Sequence, residues 1–84
     1  MKDLKITILY FARVKDLVGL ESEIIDLSCG NTVESLLTKV SLIHPKIKDM
    51  LNIIQVAINY KIVNKNTLLR NGDEVALLPP VSGG

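Results

Sequence analysis

The chain has 84 residues, with ten Lys/Arg against nine Asp/Glu, one Cys, one His, and 31 residues that are Leu, Ile or Val. That length and apolar content describe one domain with a real core. The near-balance of charge excludes both the basic footprint of a nucleic-acid binder and the charge-rich composition of a disordered chain. A lone Cys and a lone His exclude an intrachain disulfide and multi-Cys or multi-His metal sites, and leave few groups for self-contained catalysis.

Leu4, Ile6, Ile8 and Tyr10 alternate with Lys5 and Thr7, the period-two signature of a half-buried strand. The period changes at Ala12, where Val14, Leu17 and Val18 fall at helical spacing. Gly19 then stands where a helix closes through a left-handed residue. Glu21 to Ser28 is predicted to be a second strand with Ile25 and Leu27 inward and Ile24 on the opposite face. Ser28-Cys29-Gly30-Asn31 is predicted to be a turn. Val33, Leu36, Leu37, Val40 and Ile43 make one stripe of a longer helix. Asn31 with Glu34 forms a capping-box pattern, Thr32 is the other candidate cap, and Pro45 ends the helix at His44.

Leu51 to Ile58 is predicted to be a buried strand with Ile54, Val56 and Ile58 on one face. Asn59-Tyr60-Lys61 then turns the chain into a short strand at Ile62-Val63. Asn64 to Arg70 is predicted to be a polar loop that lands Leu68 and Leu69 on the body. Asn71-Gly72-Asp73 is a turn, and Glu74 to Leu78 is the last strand with Val75 and Leu77 inward. One long helix must then cover one face of a mixed sheet of about five strands, a two-layer α+β arrangement with one additional short helix. No segment reaches the roughly 18 apolar residues needed to span a bilayer. Charges at Lys2, Asp3, Lys5, Arg13, Lys15 and Asp16 break any signal-peptide core. A cytoplasmic protein without membrane or nucleic-acid partners is expected.

The segment Pro79-Pro80-Val81-Ser82-Gly83-Gly84 stands out chemically. Consecutive prolines hold an extended path without backbone donors, and two side-chain-free residues can enter a passage one backbone wide. A terminal carboxylate at Gly84 is ionised and a poor electrophile at neutral pH. Reaction there needs activation, as in a mixed anhydride with a nucleotide. A sulfur nucleophile would then leave a thiocarboxylate and an amine an amide.

The run from Gly72 through Leu77-Leu78-Pro79-Pro80-Val81-Ser82-Gly83-Gly84 closely resembles the small subunit of molybdopterin synthase, a family of ubiquitin-like sulfur carriers. The opening Leu9-Tyr10-Phe11-Ala12-Arg13-Val14-Lys15-Asp16-Leu17-Val18-Gly19 resembles the same family. So do Thr32-Val33-Glu34-Ser35-Leu36-Leu37 and Val56-Ala57-Ile58-Asn59. The resemblance covers essentially the whole chain; His44 to Asn52 carries no family signal. It implies a β-grasp, ubiquitin-like domain over 1–79, with first and last strands parallel at the sheet centre and a flexible tail over 80–84. It implies that a partner enzyme adenylates Gly84 with ATP and that a sulfur donor converts it to a thiocarboxylate. The tail would then enter the large subunit of a heterotetrameric synthase, where sulfur passes to cyclic pyranopterin monophosphate. Gly83 gives clearance; no cofactor or metal is bound by the carrier, and the catalytic acids and bases belong to its partners.

A carrier is recognised beyond its tail. Phe11, Ile62 and Leu78 are apolar residues out of place for a closed core and are candidates for a docking patch. Cys29 is read as a turn residue, His44 as a helix-end group, and Glu21, Glu23, Asp73 and Glu74 as surface or turn charges. Arg13 and Lys15 are read as solvated helix charges. Rival readings are a carrier of another pathway (thiamine or tRNA thiolation), a ubiquitin-like modifier joined to lysines, and an interaction domain with an inert tail.

Overall fold

The computed structural model describes residues 4–28 and 30–80. Cys29 and the tail residues Val81, Ser82, Gly83 and Gly84, on which several expectations fall, lie outside the described residues. Among the described residues five strands form one mixed sheet: β1 (Leu4–Tyr10), β2 (Ser22–Leu27), β3 (Gln55–Ile58), β4 (Lys61–Val63) and β5 (Glu74–Leu78). Two helices, α1 (Ala12–Val18) and α2 (Val33–Ile43), and a 3-10 helix over Pro45–Met50 complete the fold. The strand order is β2-β1-β5-β3-β4. β1 and β5 run parallel in the interior of the sheet, and every other pairing is antiparallel. This is the β-grasp α+β arrangement expected.

Alternation decides which face is covered. Ile6, Ile8 and Tyr10 of β1, Ile25 and Leu27 of β2, Val56 of β3, and Val75 and Leu77 of β5 are buried in one cluster with Val14 of α1 and Val33, Leu36, Leu37 and Val40 of α2. α1 closes as predicted: Gly19 takes φ 85° and its N–H donates to the Lys15 carbonyl at 2.7 Å.

Several expectations are corrected. The α2 cap is Thr32, whose hydroxyl oxygen accepts from the Ser35 N–H at 3.1 Å, not the Asn31–Glu34 box. The reason is tertiary: the loop after β4 supplies the remaining acceptors, Thr67 O to Val33 N and Lys65 O to Glu34 N, both at 3.0 Å. Ile43, the last residue of α2, is exposed at the helix end, so the buried apolar stripe stops at Val40. Ser41 is buried on the other side of the stripe, its hydroxyl satisfied by Thr38 O at 2.8 Å. The strand predicted from Leu51 begins only at Gln55, since Leu51 to Ile53 form a turn. Leu69 is buried but Leu68 is exposed. The 3-10 helix was not predicted, and it places Ile47 fully in the core.

Glu23 is no simple surface charge. It occupies the core-facing parity of β2, shared with Ile25 and Leu27, at the rim of the core. There Glu23 accepts the Tyr10 hydroxyl at 2.5 Å and pairs with His44 Nε2 at the end of α2. The Tyr10 and His44 rings meet edge to face, with centroids 5.9 Å apart. Burial raises the Tyr10 hydroxyl's pKa well above its ordinary value, and the hydrogen bond to Glu23 and its negative charge add to the shift.

Candidate functional site

The uncovered face of the sheet carries the site. A polar row is the usual content of such a face. Here the cross-strand register sets Leu9 beside Ala76, Ala76 beside Ala57, and Ala57 beside Ile62, an apolar row over four strands. The small residues lie in the middle and the large ones at the margins, so the surface dips. The result is a concavity of ≈ 240 Å³ whose walls include Phe11, Tyr60, Ile62 and Leu78. Among the described residues that line it, Glu74 is the sole charged one.

The three predicted docking residues therefore share one feature. Phe11 is 43% exposed and Ile62 62% exposed, while Leu78 is half-buried. Phe11 stands at the exit of β1, where its N–H donates to Leu77 O and its own carbonyl accepts from Val14 and Lys15. This ties the Phe11 backbone to the end of β5 and the start of α1. Leu78 ends β5 and leads directly to Pro79, half-buried, and Pro80, exposed. The concavity thus begins at the root of the tail. Gly84, Gly83, Ser82 and Val81 lie outside the described residues.

Leu9, Ala57, Ala76, Tyr60 and Glu74 were not among the predicted site residues. A signal for the first three was present: Leu9, Ala57 and Ala76 are apolar at the outward parity of β1, β3 and β5, where a solvated face needs only polar residues such as Lys5, Thr7, Gln55 and Glu74. Tyr60 carries no sequence signal beyond its place in the Asn59-Tyr60-Lys61 turn. Asp73 behaves as the turn residue expected, its carboxylate accepting from the Arg70 N–H at 2.9 Å. Among the described residues there is no grouping of His, Cys, Asp and Glu able to hold a metal ion. No helix among them is long and apolar enough to cross a membrane.

A β-grasp sheet with one face closed by helices is the architecture of a ubiquitin-like domain, and here the other face is apolar beside the last strand. The chain belongs to the ThiS family, whose model matches residues 8–84. It is 32% identical, over 96% of its length and all of the relative's, to the molybdopterin synthase sulfur carrier subunit of Chlamydomonas reinhardtii. Among solved structures it resembles SAMP1 from Haloferax volcanii at 26% identity and TM-score 0.80, covering 95% of this chain and 99% of that one. It also resembles a chain in the complex of subunits 1 and 2 of the molybdopterin-converting factor from Helicobacter pylori, at 27% identity and TM-score 0.67, covering 96% and 100%.

Proposed function

We propose that this chain is a sulfur carrier for molybdopterin synthesis and that its reactive group is the carboxylate of Gly84. The observation that carries the reading is the apolar concavity opening at the root of the Pro79-Pro80 segment. A partner that draws in the tail must cover Leu78 and Phe11, and the surface it meets there is apolar and preformed. The family match and the subunit complex of the Helicobacter pylori relative support the same reading.

In this mechanism a partner enzyme adenylates Gly84: a carboxylate oxygen attacks the α-phosphate of ATP and pyrophosphate leaves. Sulfide-level sulfur supplied through a donor protein then attacks the acyl carbon and expels AMP, giving a thiocarboxylate. The tail enters the large subunit of molybdopterin synthase, where the sulfur attacks cyclic pyranopterin monophosphate and water then cleaves the acyl carbon–sulfur bond, restoring the Gly84 carboxylate. The carrier contributes an acyl group, a narrow Gly83-Gly84 end and a docking face. Acid–base groups and phosphate-binding groups are supplied by the partners, and ATP is consumed by the activating enzyme without being held by the carrier.

The test is intact mass after incubation with the cognate activating enzyme, ATP and a sulfur donor. Exchange of oxygen for sulfur at the acyl carbon raises the mass by about 16 Da. An unchanged mass with no ATP turnover would sink every carrier reading. The likeness to SAMP1, a small archaeal modifier, favours a second reading, conjugation to protein lysines. Gly84-linked adducts on cellular proteins would select it.

A further inference from the structure

We infer that Tyr60 is a docking residue and not a folding residue: a strained, exposed aromatic that forms the far wall of the concavity and seats the large subunit there, an inference resting on the reading above. Among the described residues three that are not glycine have positive φ: Ala12 at 49°, Asn59 at 49° and Tyr60 at 74°. Ala12 carries only a methyl group. Asparagine tolerates left-handed backbone, and Asn59 is also tied to β5, its N–H donating to Glu74 O at 3.0 Å and its Oδ1 accepting from Glu74 N at 3.4 Å.

Tyr60 has neither excuse. Asn59 and Tyr60 are the central pair of the two-residue turn joining β3 to β4, a primed geometry whose second central position favours glycine. A bulky residue with positive φ there strains the backbone. The residue is 92% exposed, so burial within the domain offsets almost none of that strain. A strained residue that the fold does not use points to a use outside the fold.

Its position indicates that use. The ring shares the concavity with Phe11, Ile62 and Leu78. Leu78 lies at the tail end of β5 and Glu74 at the turn end, four residues and so roughly 13 Å apart. A partner gripping the tail alone could rotate about it. Contact at Tyr60 adds a second point on the same face and fixes the domain's orientation. Tyrosine is among the residues enriched where binding energy concentrates.

The experiment titrates the full chain, Tyr60→Gly and Tyr60→Asn against the purified molybdopterin synthase large subunit from the same genome, with thermal unfolding of each free chain alongside. The expected result is an affinity lower by about tenfold or more, with the thermal midpoint held or raised as strain is released. Affinity within about twofold of wild type overturns the inference. So does a lower midpoint in both variants, which would make the ring part of the fold. Failure of the wild-type chain to bind overturns the functional reading and this inference with it; wild-type binding with unaffected variants removes Tyr60 alone.

Discussion

The Tyr10 hydroxyl donates to Glu23 Oε2 at 2.5 Å, joining the end of β1 to the edge strand β2 at the rim of the core. Burial and the adjacent carboxylate raise the tyrosine's pKa in the folded state above its unfolded value of about 10. A group whose folded pKa is raised contributes stability that is fully present below the unfolded pKa and is lost as pH climbs above it. The wild type is therefore expected to lose stability through Tyr10 as pH rises above about 10. Tyr10→Phe removes a hydrogen bond to a charged group and should cost about 1.5–3 kcal/mol at neutral pH. Glu23 keeps His44 as a partner in that variant. Urea denaturation from pH 7 upward should show the two proteins converging at high pH; parallel curves would disprove the linkage.

The start of α2 offers a paired test. Thr32 accepts the Ser35 N–H through its side chain, whereas Asn31 contributes its backbone carbonyl to the Leu69 N–H. Thr32→Ala should cost about 1 kcal/mol, the usual loss for an N-cap. Asn31→Ala should stay within about 0.5 kcal/mol, the range of surface substitutions. Chemical denaturation midpoints decide it, and a larger loss at Asn31 would restore the capping box.

Ile47 is fully buried although it sits in a six-residue 3-10 helix. Ile47→Ala should destabilise the domain by about 2–5 kcal/mol, through lost burial and the cavity left behind. Exposed Ile43, the residue whose periodicity looked stronger, should tolerate alanine with a loss under about 1 kcal/mol. Equal losses in thermal unfolding would count against the placement of this segment.

These contrasts show where the sequence was readable. β1, α1, α2 and β5 declare themselves by periodicity, and Gly19 and Pro45 mark where two helices end. Ile47 stayed hidden because a short 3-10 segment with one core residue has no period to detect. The network at Glu23 was hidden for another reason. Its three members are distant in sequence, and strand register plus the end of α2 bring them together. Phe11, Ile62 and Leu78 could be picked out as misplaced apolar residues. Their convergence depends on the order β1-β5-β3-β4 and on the alanines between them, which no local pattern encodes.

Substitutions on the sheet face and deletion at the chain end should separate docking from chemistry. Phe11 is substantially exposed and Leu78 half-buried, so alanine at either should leave the fold largely intact. Each should weaken large-subunit binding by more than about 1 kcal/mol, since each removes apolar wall from the proposed docking concavity. Deleting Gly84 should act in the opposite way, leaving thermal unfolding and docking nearly unchanged because a terminal residue contributes little to stability, while abolishing sulfur transfer. Binding measured by calorimetry and transfer measured by molybdopterin formation in the reconstituted synthase make the comparison. If the Gly84 deletion still supports product formation, the acyl carbon is not the sulfur site. If the Phe11 and Leu78 variants unfold, those residues belong to the core and the partner must dock elsewhere. Only loss of affinity in one set and loss of transfer in the other fits a domain whose face recognises the partner and whose chain end reacts.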